Sequence, residues 1–135
     1  MSSHSILLPG GAGLIGNAVL RERNRPGHTD VFVVDKLGTS PTKWKNLRDC
    51  QFADYVEYDE FVANDYEMGA RLTEKSTVVI HLGAKSATTE QDMAFLSRNN
   101  FGFSQWLAFA TKKQSVRFVY ASSAATYGAG AMEDK

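Results

Sequence analysis

The most informative segment for the fold of this chain is SILLPGGAGLIGNAV, residues 5–19. Its first five residues form a short apolar run, and its last ones space apolar side chains as a helix does. Between the two, Gly11, Gly13 and Gly16 satisfy the pattern G-x-G-x-x-G, and a wider G-x-x-G-x-x-G begins at Gly10. The stretch therefore predicts a buried strand, a tight glycine turn and a helix that opens directly after the turn.

A glycine turn of this kind can bind the pyrophosphate of a dinucleotide, and a carboxylate at the end of the second apolar run can bind its ribose. One glycine takes a backbone angle that other residues avoid, one lets a pyrophosphate approach the main chain, and one packs helix against strand. The helix N-terminus adds free N–H groups and a partial positive charge. Asp35 ends the second run about 20 residues further on, where a carboxylate binds the adenosine ribose. An ordinary tight turn explains the glycines alone, but not their combination with Asp35.

The identity of the dinucleotide is open at this point. Asp35 by itself favours NAD, because a carboxylate binds ribose hydroxyls and repels a 2′-phosphate. Three basic residues follow closely and could meet the 2′-phosphate of NADP: Lys36, Lys43 and Lys45. We expect NADP, with NAD as the alternative.

Short apolar runs recur along the whole chain and alternate with longer segments. The runs are Ser5–Pro9, Val31–Asp35, Gln51–Asp54, Thr77–Leu82 and Val116–Ala121. Continuous β-branched runs suit parallel strands covered on both faces, and their alternation with helical segments is typical of βαβ units. We predict an α/β fold with a Rossmann-type doubly wound parallel sheet of order 3-2-1-4-5 in three αβα layers, and one dinucleotide-binding domain over residues 1–135.

The connections between these runs differ in character. Leu14–Arg23 has the apolar spacing of a helix, and Lys36–Cys50 predicts a loop with a short helical turn. The segment Glu90–Lys113 carries a long amphipathic pattern that includes Phe95, Trp106 and Phe109.

Composition narrows the class of protein. The chain has 135 residues, 43% of them hydrophobic, and 15 basic residues balance 15 acidic ones. A neutral chain gives no support for nucleic acid or an anionic membrane as the main partner. The apolar runs are too short to cross a bilayer, and the N-terminus lacks the pattern of a secretory signal. A single cysteine, Cys50, fits a reducing cytoplasm, where we expect the protein to act, and no metal site is predicted.

The carboxyl ends of the predicted strands share small or polar residues. In a doubly wound sheet the ligand lies beyond these ends, which here are Gly10, Asp35, Asp54, GAKSATTE from Gly83 and SSAATYG from Ser122. A flat cofactor lying across the sheet needs such side chains. Asp54 could accept a hydrogen bond from the adenine amine or could cap the next turn. His81 is interpreted as a packed histidine rather than a catalyst.

Five strings together resemble the extended short-chain dehydrogenase/reductase superfamily of nucleotide-sugar epimerases and dehydratases. They are GGAGLIG, VVD, HLGAKS, the pair Asn99-Asn100 and YASSAATYG. YASSAATYG and two further strings, NLRDCQFADYVEYDEF and KSATTEQD, look most like the epimerases of ADP-activated glycero-manno-heptose. That subgroup implies an isomerase that oxidises and reduces the sugar at C6, for lipopolysaccharide core precursors, and works as a homo-oligomer. Another UDP- or dTDP-sugar epimerase or dehydratase is the alternative.

The resemblance implies a role for each matching position. Cofactor contacts would come from Gly10, Gly13, Leu14, Ile15, Gly16, Asp35, Lys36, Lys43, Leu82, Gly83, Ala84, Lys85, Ser86 and Asn99. Within that set, the amides of Leu14 and Ile15 would face the pyrophosphate, and Lys43 would approach the 2′-phosphate. The nucleotide sugar would be bordered by Ser86, Thr88, Thr89, Glu90 and Ser123. Ser123 matches the catalytic hydroxyl, which would hydrogen-bond the sugar oxygen undergoing oxidation.

The chain also departs from the superfamily pattern. Pro9 replaces a threonine, and a basic residue that often helps to bind the 2′-phosphate is replaced around Tyr58. The acid/base pair Y-x-x-x-K is absent, because the residues four places after the five tyrosines are Asp59, Val62, Ala70, Ala124 and Ala131. We expect that pair, and the substrate domain, beyond this N-terminal portion.

A serine hydroxyl is far too weakly acidic to replace the tyrosine base. The 135-residue chain alone is therefore predicted to bind cofactor without epimerising sugar. A stand-alone, non-catalytic nucleotide-binding module is the other hypothesis.

Overall fold

A computed structural model describes residues 5–37, 41–82 and 102–121, and five parallel strands form its sheet. The strands are β1 Ile6–Pro9, β2 Val31–Asp35, β3 Asp54–Glu57, β4 Val78–His81 and β5 Arg117–Tyr120. Their order is β3-β2-β1-β4-β5. The predicted Rossmann-type architecture and strand order are confirmed.

In the described ranges, three α-helices and one 3₁₀ helix lie between these strands. They are α1 Leu14–Asn24, the 3₁₀ helix Lys43–Leu47, α2 Tyr58–Lys75 and α3 Phe103–Lys113. The predictions of a first helix and of a loop with a short helical turn are confirmed. The end of the long amphipathic segment is helical as predicted, and its residues 90–101 lie outside the described ranges.

The sheet has a separate apolar core on each face, because successive side chains of a strand point to opposite sides. Leu7 and Val34 pack with Phe61 of α2 and Phe103 of α3 on one face. The other face carries a second cluster, which consists of Ile6, Leu8, Ala12, Leu20, Val31, Val33 and Leu47. Burial on both faces explains why β1 and β2 read as unbroken apolar runs.

The predicted bounds of the third strand were wrong. β3 begins at Asp54 instead of ending there, and its register pairs Phe32 with Asp54 and Asp35 with Glu57. Phe52 misled the prediction, since it packs against the core from the chain just before the strand. Asp54 is exposed at the amino end of the sheet, opposite to the edge where the strands' carboxyl ends meet.

Helix α2 is interrupted after its first turn. Asn64, Asp65 and Tyr66 have φ values of 54°, 56° and 64°, in the left-handed region. Each left-handed non-glycine residue costs roughly 1–2 kcal/mol. The interruption lets the ring of Tyr66 stack on Trp106 of α3, with centroids 4.2 Å apart. Aromatic packing of this kind offsets part of the backbone cost.

Among the residues described here, no helix is both long and apolar enough to cross a membrane.

Candidate functional site

Three glycines after β1 are required by the fold itself. Gly10 has a φ of 88°, a conformation that L side chains rarely adopt. A Cβ on Gly16 would lie 2.0 Å from the carbonyl oxygen of Gly10, and a Cβ on Gly11 would lie 2.8 Å from Cγ1 of Val33. Without these side chains, α1 can start directly against the end of β1.

Gly13 differs from these three glycines, because neither its backbone conformation nor its surroundings exclude a side chain. Its backbone is extended, with φ −79° and ψ 179°, and a Cβ there would meet only the Gly10 oxygen at 3.4 Å, an ordinary contact. Gly13 is also the N-cap of α1, so it has no side chain to accept from the first-turn N–H groups. The missing side chain therefore leaves an open approach to the helix N-terminus.

The first turn of α1 is presented outward. The side chains of Leu14 and Ile15 are 86% and 65% exposed, although both are large and apolar. The amides at such a helix start point along the axis and carry the positive end of the helix dipole. A helix start of this kind can accommodate a phosphate group.

Asp35 lies at the carboxyl end of β2 and binds the glycine turn. Its carboxylate accepts from the N–H of Ala12 at 2.8 Å, from the N–H of Lys36 at 2.7 Å and from Nζ of Lys43 at 2.6 Å. The side chain is 9% exposed. The acid predicted to bind ribose is thus held beside the turn predicted to bind pyrophosphate.

The two neighbouring lysines have different surroundings. Nζ of Lys43 reaches Asp35 and also donates to the carbonyl of Lys36 at 3.2 Å. Nζ of Lys36 lies instead 3.8 Å from Asp59 in an exposed ion pair. Because the Lys43 charge compensates that of Asp35, an anion meets less repulsion here than at an isolated carboxylate.

A cleft lies at the carboxyl ends of β1 and β2. It is lined by Pro9, Gly10, Val34, Asp35, Lys36, Tyr58 and Phe103. The ring of Tyr58 packs edge-on against Phe103, with centroids 5.1 Å apart, and closes one side. Sequence reasoning noted Tyr58 only as the place of an absent basic residue. Its position directly after β3 would have placed it in the cleft, had the strand bounds been right.

The end of β4 approaches the same edge. The N–H of Leu82 donates to the carbonyl of Pro9 at 2.8 Å, so this predicted cofactor residue lies beside the end of β1. His81 is 1% exposed, lies edge-on to Phe103, and its Nε2 is 2.7 Å from Oγ of Ser104. Burial lowers the pKa of His81 to about 4, so the ring is neutral at pH 7. This agrees with the interpretation of a packed histidine.

Asp54 is not part of this edge. Glu57 takes the carboxyl end of β3, where its carboxylate accepts from the hydroxyl of Tyr55 at 2.6 Å. Burial and the Glu57 carboxylate raise the pKa of that hydroxyl. With Asp54 at the opposite edge, the predicted contact to the adenine amine loses its basis.

The remaining predicted residues lie outside the described ranges: Gly83, Ala84, Lys85, Ser86, Thr88, Thr89, Glu90, Asn99 and Ser123. Within the described ranges, no cluster of three histidine, cysteine or acidic side chains could hold a metal ion.

Sequence comparison shows that the chain is similar to curated epimerases. It is 44% identical over 126 residues to ADP-L-glycero-D-manno-heptose-6-epimerase of Nitratidesulfovibrio vulgaris, and the match covers 93% of this chain and 38% of that protein. It is 46% identical over 124 residues to the enzyme of that name from Alkalilimnicola ehrlichii, covering 91% and 38%. The chain thus spans well under half the length of these relatives.

Structural comparison points to the same group. The Helicobacter pylori ADP-L-glycero-D-manno-heptose-6-epimerase matches with a TM-score of 0.70 and 26% identity, over 93% of this chain and 41% of that one. A UDP-glucose-4-epimerase from Stenotrophomonas maltophila, solved with bound NAD, matches with a TM-score of 0.74 and 25% identity, over 93% and 39%. The NAD dependent epimerase/dehydratase family matches residues 6–135. With its glycine turn and Asp35 in place, the chain belongs to that family.

Proposed function

We propose that this chain is the dinucleotide-binding portion of a nucleotide-sugar epimerase. One observation carries the proposal: the open N-terminus of α1 at Gly13 lies beside the ion pair between the largely buried Asp35 carboxylate and the partly exposed Lys43. The first feature suits a pyrophosphate, and the second suits a ribose. A stand-alone binding module would share both features, so these two features alone do not identify the sugar substrate.

Each part of the site has a distinct task in this proposal. The amides of Leu14 and Ile15 bind the pyrophosphate, and Asp35 accepts from the ribose hydroxyls. Leu82 and the residues after it line the nicotinamide side, and the bound nicotinamide supplies a hydride acceptor and donor. Ser123 hydrogen-bonds the sugar oxygen, while Ser86, Thr88, Thr89 and Glu90 border the sugar. No tyrosine in the sequence is followed four residues later by a lysine, so the Y-x-x-x-K acid/base pair is missing and we expect binding without epimerisation from these 135 residues.

We propose NADP as the cofactor. Lys43 supports this choice, because it compensates the Asp35 charge at 2.6 Å and can pair with a 2′-phosphate. The relative solved with bound NAD supports NAD as the alternative.

Calorimetric titration of the chain with NADP and with NAD tests the cofactor assignment. We expect saturable binding of both, with NADP the tighter ligand. No heat of binding from either at millimolar concentration would overturn the proposal for this chain.

For the longer protein, we propose ADP-glycero-manno-heptose as the substrate and C6 as the reacting carbon. The two curated relatives support it, since both carry that activity in their names. We also propose a cytoplasmic homo-oligomer that serves lipopolysaccharide core synthesis.

Incubation of the longer protein with ADP-D-glycero-D-manno-heptose should yield the C6 epimer. Turnover of UDP-glucose instead would favour the alternative, a UDP-sugar epimerase.

A further inference from the structure

The 3₁₀ helix contacts the glycine turn through a residue that the sequence analysis did not single out. Nδ2 of Asn46 donates to the carbonyl of Ala12 at 2.7 Å. The side-chain amide of Asn17 in α1 donates in turn to the main-chain carbonyl of Asn46. Asn46 is therefore joined both to the turn and to the helix that follows it.

Ala12 is held at both of its backbone groups. Its N–H donates to Asp35 at 2.8 Å, its carbonyl accepts from Asn46, and the residue is fully buried. Since a peptide unit is planar, a fixed carbonyl at Ala12 also fixes the N–H of Gly13 in the same plane. That peptide directly precedes the first turn of α1, where Leu14 and Ile15 are exposed.

Three hydrogen bonds link the 3₁₀ helix, the glycine turn and the end of β2 to one another. Lys43 and Asn46 lie on one 3₁₀ helix; the first binds Asp35 and the second binds Ala12. Asp35 and Ala12 are themselves hydrogen-bonded at 2.8 Å. The ribose side and the pyrophosphate side of the cleft are thereby attached to a single short element.

We propose that Asn46 is a positioning residue for dinucleotide binding: by holding the Ala12 carbonyl, it sets the orientation of the amides that receive the pyrophosphate. The inference rests on the proposed cofactor function and adds to it a residue that need not touch the ligand. Donors held in the productive geometry bind without reorganising, and small displacements of such groups are costly.

The chain offers a matched control at the other end of α1. Nδ2 of Asn24 donates to the carbonyls of His28 and Gln51, both at 2.9 Å, and its Oδ1 accepts from the N–H of Gln51 at 2.8 Å. Asn24 thus also uses a side-chain amide to attach a loop to α1, but away from the glycine turn. A purely structural role at Asn46 would make the two alanine variants alike.

The test compares N46A, N24A and N46Q in the full 135-residue chain. Calorimetry with NADP should show about tenfold weaker binding for N46A and a change under about twofold for N24A, while urea denaturation shows similar stability losses. N46Q keeps the amide donor and should recover part of the affinity. Equal NADP affinity in N46A and N24A, or an N46A chain that does not fold where N24A does, would overturn the inference.

A second measurement needs no ligand. Amide hydrogen exchange at Gly13, Leu14 and Ile15 should be faster in N46A than in wild type and unchanged in N24A. If wild-type chain binds neither NADP nor NAD, the proposed function fails, and the exchange result still decides the role of Asn46. Unchanged exchange at all three amides in N46A would count against that role.

Discussion

Gly16 in α1 and Gly13 in the turn before it should have different effects on folding and on binding. For Gly16→Ala we expect a loss of about 3 kcal/mol in the free energy of unfolding, because the new Cβ would lie 2.0 Å from the Gly10 oxygen. For Gly13→Ala we expect a change within about 0.5 kcal/mol, since its Cβ would make only a 3.4 Å contact. Urea denaturation measures both.

The Gly13→Ala substitution, which should hardly change stability, should nevertheless change the affinity for the dinucleotide. Gly13→Ala, though folded, should weaken dinucleotide binding about tenfold, because a methyl group would occupy the approach to the α1 N-terminus. Calorimetric titration with NADP checks this. Wild-type affinity in a folded Gly13→Ala chain would show that the pyrophosphate does not approach the main chain there.

Lys43 should decide the preference between the two dinucleotides. Replacing it by methionine should weaken NADP binding by roughly tenfold or more and NAD binding much less, since a hydrogen bond to a charged group is worth about 1.5–3 kcal/mol. Lys45→Met is the matched control, because Lys45 is exposed on the same 3₁₀ helix. Titrations of each variant with both cofactors measure the ratio. A preference for NADP that persists in Lys43→Met would contradict this assignment.

At the scale of secondary-structure elements, the end of α3 stores backbone strain. Ser115 has a φ of 58°, and the N–H groups of Ser115 and Val116 donate to the carbonyls of Lys112 and Thr111, which together form a Schellman motif. Glycine adopts this conformation without the Cβ penalty. Ser115→Gly should therefore raise the free energy of unfolding by about 1 kcal/mol. Urea denaturation measures the shift, and Ser115→Ala, which keeps a Cβ, should show no comparable gain.

Elements also show where sequence reasoning works and where it fails. β1 and β2 were predictable because both of their faces are buried, so the run of apolar letters matches the strand. β3 lies at the edge of the sheet, with Val56 buried and its other residues partly or wholly exposed. Its short pattern was outweighed by Phe52, whose ring is partly buried from outside the strand. Because the third strand was predicted to end at Asp54, Asp54 was assigned to the site and Tyr58 was not.

At the scale of the whole molecule, a buried histidine links stability to pH. His81 joins β4 to α3 through Ser104, and burial lowers its pKa from 6.5 to about 4. Between these values the unfolded chain binds a proton that the folded chain does not. The stability is therefore complete above pH 6.5 and falls as the pH falls towards 4, by about 3 kcal/mol for this one group.

Urea denaturation between pH 7 and pH 4 measures this effect. His81→Gln should flatten the slope over that interval, whereas His28→Gln, at an exposed position, should leave it unchanged. Carboxylates also titrate in this range, so the comparison of slopes between variants carries the result. An equal slope in wild type and His81→Gln would show that His81 does not couple folding to protons.

The sequence alone was enough to locate β1 and β2, the glycine turn and Asp35, because each depends on local chemistry: apolar runs, backbone freedom and a carboxylate at a strand end. The folded chain was needed to learn which glycine has open space beside it, which lysine meets Asp35, and that Asn46 holds Ala12. The contact of Asn46 with Ala12 joins residues 34 positions apart, and the contact of Lys43 with Asp35 spans eight positions across a loop. Their partners are fixed by how α1 and the 3₁₀ helix pack on the sheet, and no spacing along the sequence encodes that packing.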